Sequence, residues 1–181
     1  MAIAIVVIVA GATIPLLHGH IDRSRAAAAA SYLAGRMAWA RFEAVKRSAA
    51  VAIRFVENTD GYWVRTYVDG NRTGVRTIDI ALGIDRPITG DERLDYHFPG
   101  VTFGIQPNVT GLDPGQPFDA GDPVQIGPST LLSFSPNGSS SSGTLFIRDH
   151  RSSQFAVRTL GATGRTRVFE FNFGDGTWRT R

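Results

Sequence analysis

The sequence has no cysteine among its 181 residues. This absence excludes a disulfide-stapled scaffold, a zinc site built on thiolates and a cysteine nucleophile. Motifs of common catalytic sites are also missing, since there is no Gly-x-Ser-x-Gly elbow, no P-loop and no dinucleotide fingerprint. We therefore predict a protein that is not an enzyme and that has no small-molecule substrate.

Charge is scarce in this chain. Asp, Glu, Lys and Arg make up 19% of the residues, the net charge is +3, and Lys46 is the single lysine. This balance argues against a strongly basic nucleic-acid coat and against an acidic disordered tail. Apolar residues make up 43% of the chain, which is enough to build the buried core of one domain, with or without an appendage.

The beginning of the sequence contains no charge at all before Asp22. Residues 1–17 are almost entirely apolar and reach the lower edge of the roughly 17–25 residues that cross a bilayer as a helix. No basic residue precedes this run, so a cleaved secretory signal fits poorly. We expect a membrane-spanning half-helix whose beginning has been cut off. Its main residues are Ile3, Ile5, Val6, Val7, Ile8, Val9, Ile14, Pro15, Leu16 and Leu17.

Helical sequence continues over residues 18–50. Residues 26–30 are a run of alanine, the strongest helix former, and Pro15 is expected to kink the helix without ending it. A helix of roughly fifty residues spans about 75 Å, so it must protrude from any small domain. An apolar stripe at steps of three and four predicts the face that packs on the rest of the chain. It consists of Leu33, Met37, Ala40, Ala44 and Val51.

Residues 51–181 show the pattern of antiparallel strands, in short alternating or β-branched runs bounded by Gly, Pro, Asn or Ser. Residues 108–128 are rich in Gly, Pro and Asp and are expected to form a long surface loop. The predicted fold class is α+β, with a long N-terminal helix packed on an antiparallel β-sandwich of two sheets. The predicted strands are 51–56, 62–68, 93–98, 101–105, 131–135, 144–149, 154–160 and 167–173.

Three segments of the chain carry a family resemblance. The first is AIAIVVIVAGATIP (residues 2–15), which is similar to the part of the type IV pilin hydrophobic helix that ends in a proline. The others are SFSPNGSSSSGTLFI (residues 133–147) and FAVRTLGATGRTRVFEF (residues 155–171), followed by Trp178. In that order they resemble two hairpins of the GspH/FimT family. The chain thus looks like a type IV pilin-like protein, specifically a minor pseudopilin.

The resemblance implies a structural subunit of a type II secretion pseudopilus or a type IV pilus, at or near the filament tip. Its partners would be other pilins or pseudopilins, contacted through the N-terminal helix, and the secretion or pilus machinery of the bacterial inner membrane. The protein would span that membrane once, with its β domain in the periplasm, until it is incorporated into a filament. A membrane-tethered binding domain outside any filament is an alternative.

The sequence departs from the family pattern at its start. Family members begin with a short basic leader ending in Gly, followed by Phe and, shortly after, by Glu, and this sequence shows none of these. We expect that Met1 is an internal methionine and that the true start lies upstream. The alternative is a degenerate member of the family that is never processed. Leader cleavage and N-methylation are therefore assigned to no residue of this sequence.

A possible calcium loop follows the second predicted strand. Asp69, Asn71 and Thr73, with the next glycine, match the first half of a calcium loop, whose oxygen ligands occupy positions one, three and five. Position twelve is Ile80 instead of Glu, although Asp79 precedes it. Asp, Gly and Asn also form ordinary turns. The sequence therefore leaves open a calcium site with Asp69, Asn71, Thr73 and Asp79 or a metal-free turn, and it predicts no other cofactor.

Arg165 and Arg167 belong to the sequence Gly-Arg-Thr-Arg in the last hairpin segment. It resembles a Gly-Arg-x-Arg motif that contacts DNA in the FimT branch of the family. Guanidinium groups bind phosphates whatever the base sequence. The resemblance thus implies an alternative function, a DNA-binding minor pilin for natural transformation. In a secretion subunit the same arginines would belong to a solvated turn.

Overall fold

One long helix, α1 (Ala2–Arg47), precedes all the strands. The computed structural model describes the backbone of residues 2–181 and the side chains of residues 20–181. The helix ends a little before the predicted residue 50, because Ser48 has a positive φ of 50° and strand β1 begins at Val51. The elements that follow are β1 (Val51–Asn58), β2 (Gly61–Val68), α2 (Thr77–Ala81), β3 (Arg86–Pro87), β4 (Glu92–Arg93), α3 (Leu94–His97), β5 (Val101–Phe103), β6 (Val124–Gln125), β7 (Leu131–Phe134), β8 (Gly143–Asp149), β9 (Gln154–Leu160), β10 (Arg165–Asn172) and β11 (Thr177–Thr180).

Two antiparallel sheets share one core with α1. The first sheet has the strand order β3-β2-β1-β7, with β4 also pairing with β2. The second has the order β11-β10-β9-β8-β5, with β6 pairing with β8. Both sheets contribute side chains to the same buried cluster as the helix, which confirms the predicted α+β class. The face-to-face sandwich stays a prediction.

The buried face of α1 is built mainly from alanine. The predicted apolar stripe lies on this face up to Ala44, and the alanine-rich run that precedes it is buried with it. Val51, the last residue of the predicted stripe, is buried in the same cluster but belongs to β1. Small side chains let a helix approach a sheet closely, and the larger side chains of the strands then fill the core. The buried helix residues are Ala26, Ala27, Ala29, Ala30, Leu33, Met37, Ala40 and Ala44.

The predicted strand 93–98 is wrong. Residues 92–93 form the short strand β4, and Leu94–His97 form the helical turn α3, in which the Phe98 N–H donates to the Leu94 carbonyl at 2.9 Å. Local side-chain contacts favour this turn. The Arg93 guanidinium donates to the Asp95 carboxylate at 2.6 and 3.0 Å and lies 5.1 Å from the centre of the Tyr96 ring.

The predicted membrane segment, residues 1–17, lies outside the residues whose side chains are described. Within the described part of the chain, none of the helices combines the length and the apolar character needed to cross a bilayer.

Asp149 organises the tight connection between β8 and β9. Its side chain is buried, and Oδ1 accepts the backbone N–H groups of Arg151, Ser152 and Ser153 at 2.8 to 2.9 Å. Burial raises the pKa of Asp149, but hydrogen bonds from these three residues lower it by more, so that the net pKa is lowered. The ionised carboxylate therefore stabilises the fold.

We predict that Asp149→Asn lowers the free energy of unfolding at neutral pH by about 1–3 kcal/mol, because a charged acceptor of three N–H groups is lost. Since the pKa is lowered in the folded state, this stabilisation is complete above the ordinary aspartate pKa of about 3.9 and disappears as the pH falls through the lowered value. Urea denaturation at several pH values measures the free energy of unfolding of both proteins. The difference between the variant and the wild type should become smaller in acid. The exposed Asp60→Asn is the control, and a difference independent of pH would contradict the prediction.

Candidate functional site

The two hairpin segments that carry the family resemblance lie side by side. The Ser140 N–H donates to the Gly161 carbonyl at 2.8 Å, and the Gly161 N–H donates to Ser142 Oγ at 3.1 Å. The serine run 139–142 is therefore not a free loop. It holds the connection between β7 and β8 against the turn between β9 and β10.

Helix α1 joins these two turns through Arg41. Arg41 Nε donates to the Gly138 carbonyl at 3.0 Å. A Cβ atom at Gly164 would lie 2.5 Å from the Gly138 oxygen and 2.9 Å from Arg41 Nε. Gly138 and Gly164 also have positive φ angles of 85° and 60°. The guanidinium group thus fits between the turns because both positions are glycine, and we call this contact the Arg41 clamp.

Arg165 and Arg167 lie on β10 immediately after the clamp. Both side chains are exposed, and because side chains alternate along a strand they share one face of the second sheet. Val168 points to the opposite face and packs against the core that contains α1. We call the face that carries the two arginines the outer face. Within residues 20–181, neither guanidinium group makes a hydrogen bond or an ion pair.

A third arginine lies on the same face but is paired. Arg158 is directly opposite Arg167 in the register of β9 and β10, and its Nη2 lies 2.5 Å from Asp113 Oδ2. The hydrogen bond from Arg158 lowers the pKa of Asp113, and Asp113 in turn raises the pKa of Arg158. Asp113 was not among the residues predicted from the sequence, because no local pattern connects positions 113 and 158.

Asp113 belongs to the predicted loop 108–128, which forms as expected except for the short strand β6. The loop lies over part of the outer face. Trp178 Nε1 donates to the Thr110 carbonyl at 2.8 Å, and the Phe118 ring packs on the Phe146 ring with centroids 5.5 Å apart. The loop is therefore anchored on both sides of Asp113.

The predicted calcium loop is satisfied by its own backbone. Asp69 Oδ1 accepts the N–H groups of Asn71 and Arg72 at 3.0 and 2.7 Å, and Oδ2 accepts that of Gly74 at 2.8 Å. Asn71 Oδ1 accepts the Thr73 N–H at 3.2 Å and its hydroxyl at 2.7 Å. These contacts are typical of a turn. A metal-free turn is one of the two interpretations, beside a calcium site, that the sequence leaves open.

Two further carboxylates lie near this turn. Asp79 is buried in α2, and Asp85, which sequence reasoning missed, is buried and accepts the N–H groups of Gly70 and Arg76 at 3.0 and 2.9 Å. Among the residues whose side chains are described, no group of three or more His, Cys, Asp and Glu is arranged to hold a metal ion. Calcium binding by Asp69, Asn71, Thr73 and Asp79 stays a prediction.

A second candidate surface is the side of α1 that the β domain leaves open. Eight exposed residues follow one another along this side at alternating steps of three and four, and none of them is charged. The residues in the middle are small, and those towards the ends are larger and apolar. Phe42 is 62% exposed, Val45 51% and Ile21 47%. We call this surface the open stripe. It consists of Ile21, Ser24, Ala28, Ser31, Gly35, Ala38, Phe42 and Val45.

Comparison with known proteins gives one match. A family model described as type II transport protein GspH matches residues 29–164. The matched stretch contains the Arg41 clamp and most of both sheets and ends one residue before Arg165. No curated protein and no solved structure matches the chain.

We predict that Gly164→Ala destabilises the protein more than Gly176→Ala. Both glycines have a positive φ, 60° and 67°, but nothing lies within 4 Å of a Cβ atom at Gly176, whereas one at Gly164 meets the Arg41 clamp. A left-handed backbone costs an alanine about 1–2 kcal/mol, and the crowding at Gly164 adds to this cost. Thermal unfolding of the two variants measures the difference, and equal melting temperatures would show that the clamp is not tightly packed.

Proposed function

Because the chain belongs to the family of the type II transport protein GspH, we propose that it is a minor pseudopilin, a structural subunit of a type II secretion pseudopilus or a type IV pilus. The family is one of structural subunits, in agreement with the lack of catalytic motifs in the sequence. In this proposal the protein is held in the bacterial inner membrane by residues 1–17, with its β domain in the periplasm. It enters a filament at or near the tip.

The observation that supports this function is the open stripe on α1. A filament subunit needs a surface through which its helix packs on neighbouring helices, and a continuous uncharged strip on an otherwise polar helix face is suited to that role. Ala28, Gly35 and Ala38 let another helix approach closely. Phe42 and Val45 then add apolar area that the isolated subunit leaves in water. The proposed occupant is the α1 helix of a neighbouring pilin or pseudopilin.

A second candidate function is DNA binding by a minor pilin used in natural transformation. The observation in its favour is that Arg165 and Arg167 are both exposed, both unpaired within the described residues, and on one face of β10. Two such guanidinium groups can donate to the oxygens of successive phosphates without any base contact. The Arg41 clamp supports this arrangement, because it fixes the turn from which β10 begins.

We predict that Phe42→Glu prevents assembly, whereas Ile78→Glu does not. The two side chains are 62% and 60% exposed, so either substitution leaves the fold of the subunit intact, but only Phe42 lies on the open stripe. A buried charge between packed helices is strongly unfavourable. Secretion by cells that carry each variant in place of the wild type is the first measurement.

Cross-linking tests the same interface directly. Because the chain has no cysteine, Ser31→Cys introduces a single thiol on the open stripe, and Thr77→Cys introduces one on α2. Cross-links to other pilin-like subunits should form through position 31 alone. Full secretion with Phe42→Glu, or equal cross-linking at both positions, would favour the membrane-tethered binding domain outside any filament.

For the second candidate, we predict that Arg165→Ala/Arg167→Ala weakens DNA binding at every sequence. Each lost phosphate contact should flatten the slope of log K against log salt concentration by about one unit. Fluorescence anisotropy with labelled DNA at several salt concentrations measures both effects. Arg76→Ala/Arg86→Ala removes the same charge from exposed positions elsewhere and is the control. Equal affinity of the two double variants would exclude this site.

A further inference from the structure

We propose that Arg158 is a third phosphate-binding residue beside Arg165 and Arg167. In the free protein its guanidinium group is paired with the Asp113 carboxylate, which a phosphate of a nucleic acid replaces on binding. The inference rests on the proposed DNA-binding function and concerns the same face of the second sheet. It adds a residue outside the Gly-Arg-Thr-Arg sequence, together with an acidic residue that sets the affinity of the site.

The register of the sheet brings the three arginines together. Arg158 and Arg167 are directly paired across β9 and β10, so their Cα atoms are about 4.5–5.5 Å apart. Arg165 lies two residues from Arg167 on the same face, about 7 Å away along the strand. The three guanidinium groups therefore form one compact cationic patch on the outer face.

The ion pair between Arg158 and Asp113 is weak enough for a phosphate to replace the carboxylate. Both partners are partly exposed, with side-chain exposures of 29% and 46%, and ion pairs at such positions contribute only about 0–1 kcal/mol. A phosphodiester presents the same kind of anionic oxygen as the carboxylate, and its binding also releases condensed counterions. Asp113 can leave Arg158 without unfolding the loop, because Thr110 and Phe118 anchor the loop on either side.

The surroundings favour a nucleic acid over an acidic polypeptide. The patch is made entirely of arginine, whose planar fork matches the oxygens of a phosphate. Phe169 follows Arg167 by two residues on the same face and is only partly buried. An aromatic ring beside a row of cationic groups is the arrangement on which the bases of a single strand stack.

The test compares DNA affinities of the full chain in detergent. Asp113→Asn should bind a labelled single strand about two- to fivefold more tightly than the wild type, because the competing charge is gone. Because Arg158 contacts a phosphate in both complexes, the slope of log K against log salt concentration should stay the same in Asp113→Asn. It should flatten by roughly 0.7, the value for one phosphate contact on a single strand, in Asp113→Asn/Arg158→Gln. Asp119→Asn is the matched control, since it removes the same charge from the same loop at a residue whose Oδ1 accepts the Gly121 N–H. The double variant Asp113→Asn/Arg158→Gln should lose the gain in DNA affinity that Asp113→Asn shows.

The possible results separate this inference from the function on which it rests. If Asp113→Asn and Asp119→Asn bind equally well while Arg165→Ala/Arg167→Ala binds weakly, Arg158 is not part of the site, and DNA binding stands without it. If no variant binds DNA, both proposals fail. If Asp113→Asn gains as much affinity for poly-glutamate as for DNA, the patch serves an acidic protein partner and the assignment to nucleic acid is overturned.

Discussion

The close packing of α1 on both sheets is the constraint on which the rest of the structure depends. Ala26, Ala29, Ala30, Ala40 and Ala44 are completely buried, and no side chain beyond Cβ separates the helix from the strands at these positions. One helix therefore completes the cores of both sheets at once. A larger residue on this face would push the helix away from both sheets, at the cost usual for overpacked cores.

This packing also determines which surfaces remain free. With one face of α1 covered by the sheets, the open stripe is left on the other side of the helix, and the outer face is left on the far side of the second sheet. The Arg41 clamp extends the helix packing to the two turns that carry the family resemblance. The surface proposed for subunit contacts and the surface proposed for phosphate contacts are thus both positioned by the same helix.

Local patterns in the sequence were sufficient to predict the helix and most of the strands. The steps of three and four from Leu33 to Ala44 predict the buried helix face, and alternation predicts β8, β9 and β10 because both periods follow directly from backbone geometry. The contacts that shape the candidate site were missed for a physical reason. Arg41 meets Gly138 across 97 positions, and Arg158 meets a loop aspartate, and such pairs leave no periodic trace.

The turn between β9 and β10 has a consequence for how this protein can vary in evolution. Four residues, 161–164, separate the register partners Leu160 and Arg165. Side chains alternate along a strand, so an insertion or deletion of a single residue that shifted β10 would turn Arg165 and Arg167 towards α1 and Val168 towards solvent. The two glycines at the ends of the turn are also restricted in kind, because a Cβ atom at Gly161 would lie 2.7 Å from Ser142 Oγ and one at Gly164 would meet the Arg41 clamp. Residues 162 and 163 are therefore the ones that drift can replace most readily. Length variants that keep Arg165 and Arg167 on the outer face must therefore absorb the change within the turn or shift β10 by an even number of residues.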